Sequence, residues 1–311
     1  MNSMLYCGWD GGGTKTEVAL VDEHGTPAAS ADFGPLNING ADSAQVRETV
    51  ESALAFMSKQ WGGLPNIGAL VVGTAGVSNR QAAPRLAQAL KEAGWSGPLS
   101  IVGDQEIALS GAIQGHGAVL IAGTGSICFG RDPLGQFFRV GGYGYRIDDE
   151  GGGYAIGRDI LTAVVRAADG RLRPTQLTEL VFSALHVEDI GGLITWLYAP
   201  ETGKKDLAAL SRLLEPALER HDAAALRIAD RASDELAGLV TTGWRKTGMR
   251  DGELALTGSI LQRNDWIRHQ TTEKISAVFP AIRVRNPLAS PAVGAARMAM
   301  KLAGSSSLPC T

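Results

Sequence analysis

Short apolar runs alternate along the chain with stretches in which apolar residues recur every three or four positions. The runs at residues 5–9, 67–72 and 99–102 have the length and character of buried strands. Residues 46–61 carry apolar side chains at helical spacing, and a second helix is predicted over residues 80–93, just before a glycine. This alternation of strands and helices predicts an α/β fold.

A strand–loop–strand pattern occurs twice in the chain, 110 residues apart. The offset aligns Gly13 with Gly123, Thr14 with Thr124, Asp22 with Asp132 and Gly25 with Gly135. Each copy consists of a strand, a Gly/Thr turn and a second strand, followed by an Asp-x-x-Gly turn. The repeat predicts two related lobes whose glycine-rich loops serve one shared ligand.

Both loops are suited to binding phosphate, because exposed backbone N–H groups and hydroxyls solvate phosphate oxygens. The predicted contacts are Gly11, Gly12, Gly13, Thr14 and Lys15 in the first loop, and Gly123, Thr124, Gly125 and Ser126 in the second. A flexible hairpin is the structural alternative for either loop taken alone. For Lys15 the alternative is a solvated surface lysine.

The length of 311 residues predicts two domains, each able to bury its own core. After the second loop and a glycine-rich stretch comes a mainly helical region at residues 158–248, and a last helix is predicted after Pro291. We expect a small N-terminal domain of residues 1–117 together with about 292–311, and a large C-terminal domain of residues 118–291.

Two aspartates stand where predicted strands end. Asp10 precedes the triple glycine, and Asp104 follows the run at residues 99–102 at the start of a helix. A carboxylate at this end of a strand is well placed for chemistry in an α/β sheet. Asp10 is a candidate ligand of Mg²⁺, directly or through water, and Asp104 is a candidate base for an acceptor hydroxyl. The structural alternatives are a turn cap for Asp10 and a helix N-cap for Asp104.

The segment 141–151 combines glycines, aromatic residues and three consecutive acids. Such a loop suits a sugar, which binds with an apolar face against a ring and with its hydroxyls on carboxylates. An exposed acidic turn is the alternative. The pair Asn37-Ile38 follows the third strand and is a weaker candidate, since asparagine in turns is usually structural.

Composition removes several classes of function. The formal net charge is −3, with 29 basic and 32 acidic residues, which gives no electrostatic signal for nucleic acid or anionic membrane. Three cysteines without CxxC spacing, and no signal-peptide pattern, favour the cytoplasm. The P-loop, nucleophile-elbow and zinc-protease motifs do not occur in the sequence.

With these residues in view, the chain resembles the sugar kinase/Hsp70/actin superfamily, and within it the BadF/BadG/BcrA/BcrD ATPase-like group, which includes N-acetylglucosamine kinases. Five motifs carry the resemblance in order: residues 8–15, 119–126, 149–152, 256–260 and 290–296. The resemblance implies a two-domain actin-like ATPase (ribonuclease H-like) fold with an interdomain cleft. It also implies an ATP-dependent kinase that phosphorylates the 6-hydroxyl of N-acetylglucosamine, uses Mg²⁺ and forms a homodimer.

Individual roles follow from the same resemblance. Thr14 and Thr124 would contact the ATP phosphates, Gly258 and Ser259 would line the adenosine pocket, and Asp104 would be the general base. The amino sugar would be held by Asn37, Ile38, Asp104, Gly142, Tyr143, Gly144 and Asp149.

The exact sugar is open at this stage. Animal N-acetylglucosamine kinases have tryptophan where this chain has Tyr143, whereas a bacterial glucosamine kinase has arginine, and a neutral aromatic modestly favours an uncharged N-acetyl sugar. A glucosamine or N-acetylmuramic acid kinase is the close alternative. A radical-enzyme activator ATPase would need cysteines gathered around an iron–sulfur cluster, and a non-catalytic sugar sensor is the third alternative.

Overall fold

A computed structural model describes residues 4–36, 43–74 and 81–305. The chain divides into two compact units, which we call unit 1 (Met1–Gln114 with Pro287–Thr311) and unit 2 (Gly115–Asn286). Each unit has its own sheet and its own apolar core.

Unit 1 contains a five-stranded mixed sheet in its described part. The strands are β1 (Leu5–Gly11), β2 (Thr16–Val21), β3 (Pro27–Phe33), β4 (Ile67–Thr74) and β5 (Leu99–Gly103). The helices are α1 (Ser43–Trp61), α2 (Ala82–Glu92), α3 (Asp104–Ala112) and α12 (Pro291–Ser305), with a short 3₁₀ helix at Leu64–Asn66. The strand order is β3-β2-β1-β4-β5, in which the first three strands are antiparallel and β1, β4 and β5 run parallel. The carboxyl ends of β1, β4 and β5 therefore meet at one edge.

The helix from the C-terminal segment packs closely on the first strand. A Cβ at Gly8 of β1 would lie 2.1 Å from the backbone nitrogen of Ala296 in α12, so only glycine permits this approach. The same helix touches α3, where a Cβ at Gly294 would lie 2.3 Å from the nitrogen of Gly111. Through these contacts α12 fixes α3, whose first residue is Asp104.

Unit 2 repeats the sheet of unit 1. The strands are β6 (Gly117–Ala122), β7 (Ser126–Arg131), β8 (Phe137–Gly141), β9 (Asp251–Thr257) and β10 (Ala281–Arg285). The order β8-β7-β6-β9-β10 matches β3-β2-β1-β4-β5, with the same antiparallel and parallel pairings. The internal repeat predicted from the sequence thus extends from two loops to two whole sheets.

The turns after the repeated hairpins agree in detail. Asp22 Oδ1 accepts from the backbone N–H groups of His24 and Thr26, each at 2.9 Å. Asp132 Oδ1 accepts from Leu134 and Gln136 at 2.9 and 2.8 Å. In both turns the glycine three residues after the aspartate has a positive φ, which is why the Asp-x-x-Gly spacing recurs.

Between β8 and β9 lies the helical part of unit 2. The helices are α4 (Gly153–Ala168), α5 (Leu177–Leu185), α6 (Ile190–Leu197), α7 (Lys204–Ala209), α8 (Leu214–Glu219) and α9 (Ala223–Thr247), with a 3₁₀ helix at Leu210–Leu213; α10 (Ser259–Arg263) and α11 (Asp265–Val278) follow β9. Among the residues described, no single helix is long and apolar enough to cross a membrane, and only the pair α5 and α6, bent by 57°, reaches that length and hydropathy together.

Candidate active site

The first glycine-rich loop joins β1 to β2 in unit 1. The N–H of Gly12 donates to the carbonyl of Lys15 at 2.9 Å, and the carbonyl of Gly12 accepts from Leu36 at 3.1 Å. Gly13 and Thr14 are exposed at the tip. The loop is therefore closed by its own backbone and leaves the predicted phosphate contacts accessible to solvent.

Lys15 has a partner on the neighbouring strand. Its Nζ lies 3.0 Å from Oδ2 of Asp32, with both side chains more than half exposed. The hydrogen bond to Asp32 raises the pKa of Lys15, so its ammonium stays charged. An exposed pair of this kind contributes little to stability, so the ammonium can exchange Asp32 for another anion at small cost.

Asp10 and Asp104 lie at the same edge of the sheet in unit 1. Asp10 pairs with Gly73 of β4, and the next residue of β4 pairs with Gly103, which precedes Asp104. Burial, helped by the charges of Asp104 and Glu17 and opposed by that of Lys15, raises the pKa of Asp10 to about 6. The sheet thus concentrates carboxylates where the sequence predicts a metal ligand and a base.

Asp104 is the first residue of α3, and Gly103 takes the N-cap position. Asp104 Oδ1 accepts from the N–H of Gln105 at 3.0 Å, while Glu106 Oε1 accepts from the N–H of Gly103 at 3.2 Å. Glu106 therefore caps the free N–H of Gly103, and the exposed carboxylate of Asp104 remains accessible to a substrate.

Residues 290–296, one of the five motifs of the family resemblance, form hydrogen bonds to neighbouring elements of unit 1. Ser290 Oγ donates to Oε1 of Glu17 at 2.7 Å, and Ser110 Oγ donates to the carbonyl of Gly294 at 3.1 Å. The first bond ties β2 to the residue before α12, and the second ties α3 to α12. The first also holds the carboxylate of Glu17, which pairs with Asp10 in the sheet.

The carboxylates of unit 1 could supply one ligand to a Mg²⁺ ion whose other ligands are water and phosphate oxygens. Within the described ranges, no three His, Cys, Asp or Glu side chains form a group that could hold a metal ion. Mg²⁺ commonly takes one or two carboxylates and fills its shell with water and phosphate oxygens. Asp10, a partly buried carboxylate whose proton affinity is raised by its neighbours, is the kind of group that a cation stabilises.

The second glycine-rich loop forms one wall of a pocket of about 330 Å³ in unit 2. Gly123 and Thr124 contribute from the loop, and Ser259 contributes from the start of α10. The structure therefore brings the predicted phosphate loop and the predicted adenosine motif together within one unit. The pocket has the size of a small-molecule site.

Backbone hydrogen bonds fix this loop against the N-terminus of α4. Gly153 donates to the carbonyl of Gly123 at 2.7 Å, and Tyr154 donates to the carbonyl of Thr124 at 3.0 Å. Ser126 Oγ donates to the carbonyl of Glu150 at 2.6 Å. Ser126 is buried, so its hydroxyl stabilises the loop and is not exposed to a ligand.

Gly258 precedes the pocket residue Ser259 and is not itself among the residues that line the pocket. Its φ is +91°, and a Cβ there would lie 2.3 Å from the carbonyl oxygen of Ala122. Only glycine fits where β9 ends against β6, and the turn it makes leads directly to Ser259.

Sequence reasoning missed six polar residues that line the pocket. They are Lys205, Ser211, Arg212, Glu215, Arg263 and Asn264. Asn264 is detectable as a helix N-cap, because its side chain accepts from the N–H of Ile267 at 2.8 Å, but the three cations follow no motif. They reach the pocket only because α7, the following 3₁₀ helix and α10 fold around it.

The predicted sugar segment is a loop of left-handed glycines held by acids. Gly141, Gly142 and Gly144 have positive φ values. Asp148 Oδ2 accepts from the N–H of Tyr143 at 3.0 Å, and Asp149 Oδ1 accepts from Gly144 at 3.2 Å. Tyr143 is 65% exposed, and the guanidinium of Arg139 lies 4.7 Å from the centroid of its ring. Tyr143 is thus a fixed and accessible aromatic surface.

The three acids of this segment already have partners. Glu150 bonds Arg158 at 2.9 Å, and Asp148 and Asp149 hold the loop. Asp149 is buried, with a φ of +68°, and a Cβ on Gly125 would lie 2.2 Å from its Oδ2. Asp149 therefore packs on the second phosphate loop as well as on the sugar segment. Asn37 and Ile38 lie outside the described residues.

Two sheets of one strand order, each with a Gly–Thr loop after its first strand, define an α/β protein of the two-domain actin-like ATPase class. The chain belongs to the BadF/BadG/BcrA/BcrD ATPase family, which matches residues 7–299. The fold class and the family resemblance predicted from the sequence are both confirmed.

Three proteins show how close the relatives are. The chain is 30% identical over 319 residues to an N-acetyl-D-glucosamine kinase of Dictyostelium discoideum, covering 96% of this chain and 99% of that protein. It is 29% identical over 281 residues to an N-acetylmuramic acid/N-acetylglucosamine kinase of Clostridium acetobutylicum, covering 89% and 92%. A crystal structure of a candidate N-acetylglucosamine kinase from Chromobacterium violaceum has a TM-score of 0.74 at 25% identity, covering 97% and 100%. These relatives confirm the predicted class of enzyme, an ATP-dependent kinase.

Proposed function

We propose that this chain is an ATP-dependent amino-sugar kinase that transfers the terminal phosphoryl group of ATP to the 6-hydroxyl of N-acetylglucosamine. The observation that carries the proposal is the pocket of unit 2, which unites Thr124 of a glycine-rich loop with Ser259 of the predicted adenosine motif. Relatives named as N-acetylglucosamine kinases match nearly the whole chain, which supports the substrate.

In this proposal unit 2 binds the nucleotide. Backbone N–H groups of residues 123–125 and the hydroxyl of Thr124 donate to phosphate oxygens, and Lys205, Arg212 and Arg263 supply positive charge around the pocket. Thr14 and its neighbouring glycines in unit 1 make the corresponding phosphate contacts there. Positioning and charge neutralisation supply most of the rate in phosphoryl transfer, so fixed backbone donors suit the reaction.

Asp104 is the proposed general base. Its carboxylate accepts a hydrogen bond from the sugar 6-hydroxyl, orients that oxygen, and takes its proton as the phosphoryl group is transferred. When Mg²⁺ is bound with the nucleotide, it neutralises phosphate charge, and Asp10 would hold it. Tyr143 offers its exposed ring to the sugar, and Gly142, Gly144, Asp149, Asn37 and Ile38 complete the proposed sugar contacts.

N-acetylmuramic acid is the second candidate acceptor, favoured by the name of the Clostridium acetobutylicum relative. Glucosamine remains a further alternative. A radical-enzyme activator is disfavoured, because Cys7 and Cys128 are buried and burial raises the pKa of both thiols, which opposes the thiolate form that a cluster requires. We also propose a homodimer located in the cytoplasm, from the composition and the resemblance.

The proposal is tested with Asp104→Asn. Loss of a general base typically lowers turnover by about 10²- to 10⁴-fold, whereas the stabilisation by a nonhydrolysable nucleotide should be unchanged, since Asp104 does not line the nucleotide pocket. Asp169→Asn, which changes an exposed acid paired with Arg171 in unit 2, is the matched control. Wild-type turnover in Asp104→Asn would remove the base from the proposal.

A further inference from the structure

Lys204 joins two parts of unit 2, the sugar segment and α7. Its Nζ is 3.8 Å from Oδ2 of Asp149 and 5.0 Å from the ring centroid of Tyr145. Lys204 is also the first residue of α7, and the next residue, Lys205, lines the nucleotide pocket. The side chain of Lys204 therefore connects the sugar segment to α7, a helix that lines the nucleotide pocket.

A second set of contacts runs from the same cluster to the phosphate loop. The ring of Tyr145 packs edge-on against the ring of Tyr154, with centroids 4.7 Å apart. The N–H of Tyr154 donates to the carbonyl of Thr124 at 3.0 Å. A displacement of Tyr145 would therefore shift Tyr154 and, through its N–H, the loop that carries Thr124.

The ion pair between Lys204 and Asp149 is partly shielded from water. The side chain of Asp149 is 8% exposed and that of Lys204 is 36% exposed, so the pair is screened less than one on the open surface. The other oxygen of Asp149 accepts from the N–H of Gly144. Asp149 itself has a left-handed backbone conformation, which is strained for a residue with a side chain. The pair thus keeps both α7 and the sugar segment in one arrangement.

We propose that Lys204 is a positioning residue that couples sugar binding to nucleotide binding. A sugar that orders the segment around Tyr143 stabilises the Asp149–Lys204 contact, which fixes α7 and so prepares the nucleotide pocket. Linkage makes the effect reciprocal, so each ligand should tighten the binding of the other. This inference rests on the proposed function, because it takes Tyr143 and Asp149 as parts of the sugar site.

The test measures the dissociation constant of a nonhydrolysable ATP analogue by calorimetry, with and without N-acetylglucosamine, for the full chain. We expect wild type to bind the analogue about 5-fold or more tightly when the sugar is present, the lower end of common coupling factors. Lys204→Met should reduce this ratio towards one. Lys204→Arg, which keeps a cation next to Asp149, should retain most of it.

Arg171→Met is the matched control. It also removes a cation that pairs with an aspartate of unit 2, but Arg171 and Asp169 are both exposed at the end of α4, outside the sugar segment and the pocket lining. This substitution should leave the ratio unchanged. A ratio in Lys204→Met equal to that of wild type, or a ratio of one in wild type, overturns the inference, and neither result touches the proposed reaction. Absence of sugar phosphorylation by wild type would instead overturn the proposed function.

Discussion

Replacing Asp10 by asparagine should make the protein more stable at neutral pH. Burial, with the charges of Asp104 and Glu17, raises the pKa of this carboxyl from 3.8 to about 6, so the folded protein holds the proton more tightly than the unfolded chain. The stabilisation from protonated Asp10 is complete below the unfolded pKa and is lost as the pH rises through the folded pKa. A difference of about two pKa units corresponds to about 3 kcal/mol.

The measurement is urea unfolding of wild type and Asp10→Asn between pH 4 and pH 7 in the presence of a chelator, followed by tryptophan fluorescence. Asparagine resembles the protonated acid, so the two free energies of unfolding should agree at pH 4 and separate to about 3 kcal/mol at pH 7. Asp104→Asn removes one of the charges that raise this pKa, and it should reduce the pH dependence without abolishing it because burial is the larger cause. A difference that is constant with pH, or an Asp10→Asn variant less stable at pH 7, would show that the pKa of Asp10 is not raised in the folded protein.

Two further substitutions test the architecture of unit 2. Gly258→Ala should lower stability by at least about 2 kcal/mol and weaken the nucleotide-induced rise in Tm, because the new Cβ meets a carbonyl oxygen at a positive φ. Gly248→Ala, also at positive φ but with open space around its Cβ, is the control and should leave the nucleotide effect intact. Asp222→Ala should cost about 2 to 4 kcal/mol in denaturant unfolding, since the buried carboxylate caps α9 and also bonds Thr175 and Gln176. Burial raises the pKa of Asp222, but its hydrogen bonds lower the pKa more, so the pKa is lowered overall. The stabilisation by this carboxylate should therefore decrease as the pH falls. An Asp222→Ala variant as stable as wild type at pH 7 would contradict the capping role.

Much of the fold was readable in the sequence because the repeat combines two local signals. Apolar runs predict β1, β4, β5 and β6, and the Gly/Thr and Asp-x-x-Gly turns predict how neighbouring strands pair. The strand β10 was missed, since its alternating Ile282 and Val284 are framed by arginines and only pairing with β9 makes it a strand. The helix α4 begins at Gly153, five residues before the predicted helical region, because its glycine-rich first turn is stabilised by bonds to the second loop and not by helix propensity.

Some residues of the candidate site follow from local sequence signals, and others depend on tertiary contacts. Asp10 and Asp104 were found because strand ends are visible in an apolar pattern, and the parallel order of β1, β4 and β5 brings them to one edge. Lys205 and Arg212 were not found, since no spacing in the sequence reveals that a distant helix folds over the second loop. The three acids at residues 148–150 looked available for a sugar, yet each first serves the loop or Arg158, a use that depends on tertiary contacts. The roles proposed for the individual site residues remain predictions.

Phosphoryl transfer to one hydroxyl of an amino sugar can be tested with a pair of acceptors. Wild-type protein with ATP and Mg²⁺ is supplied with N-acetylglucosamine or with its 6-deoxy analogue, and the products are identified by phosphorus NMR. We expect one ADP for each N-acetylglucosamine 6-phosphate formed and no phosphorylated product from the analogue. ADP release that is independent of sugar, or phosphate carried on another hydroxyl, would contradict it.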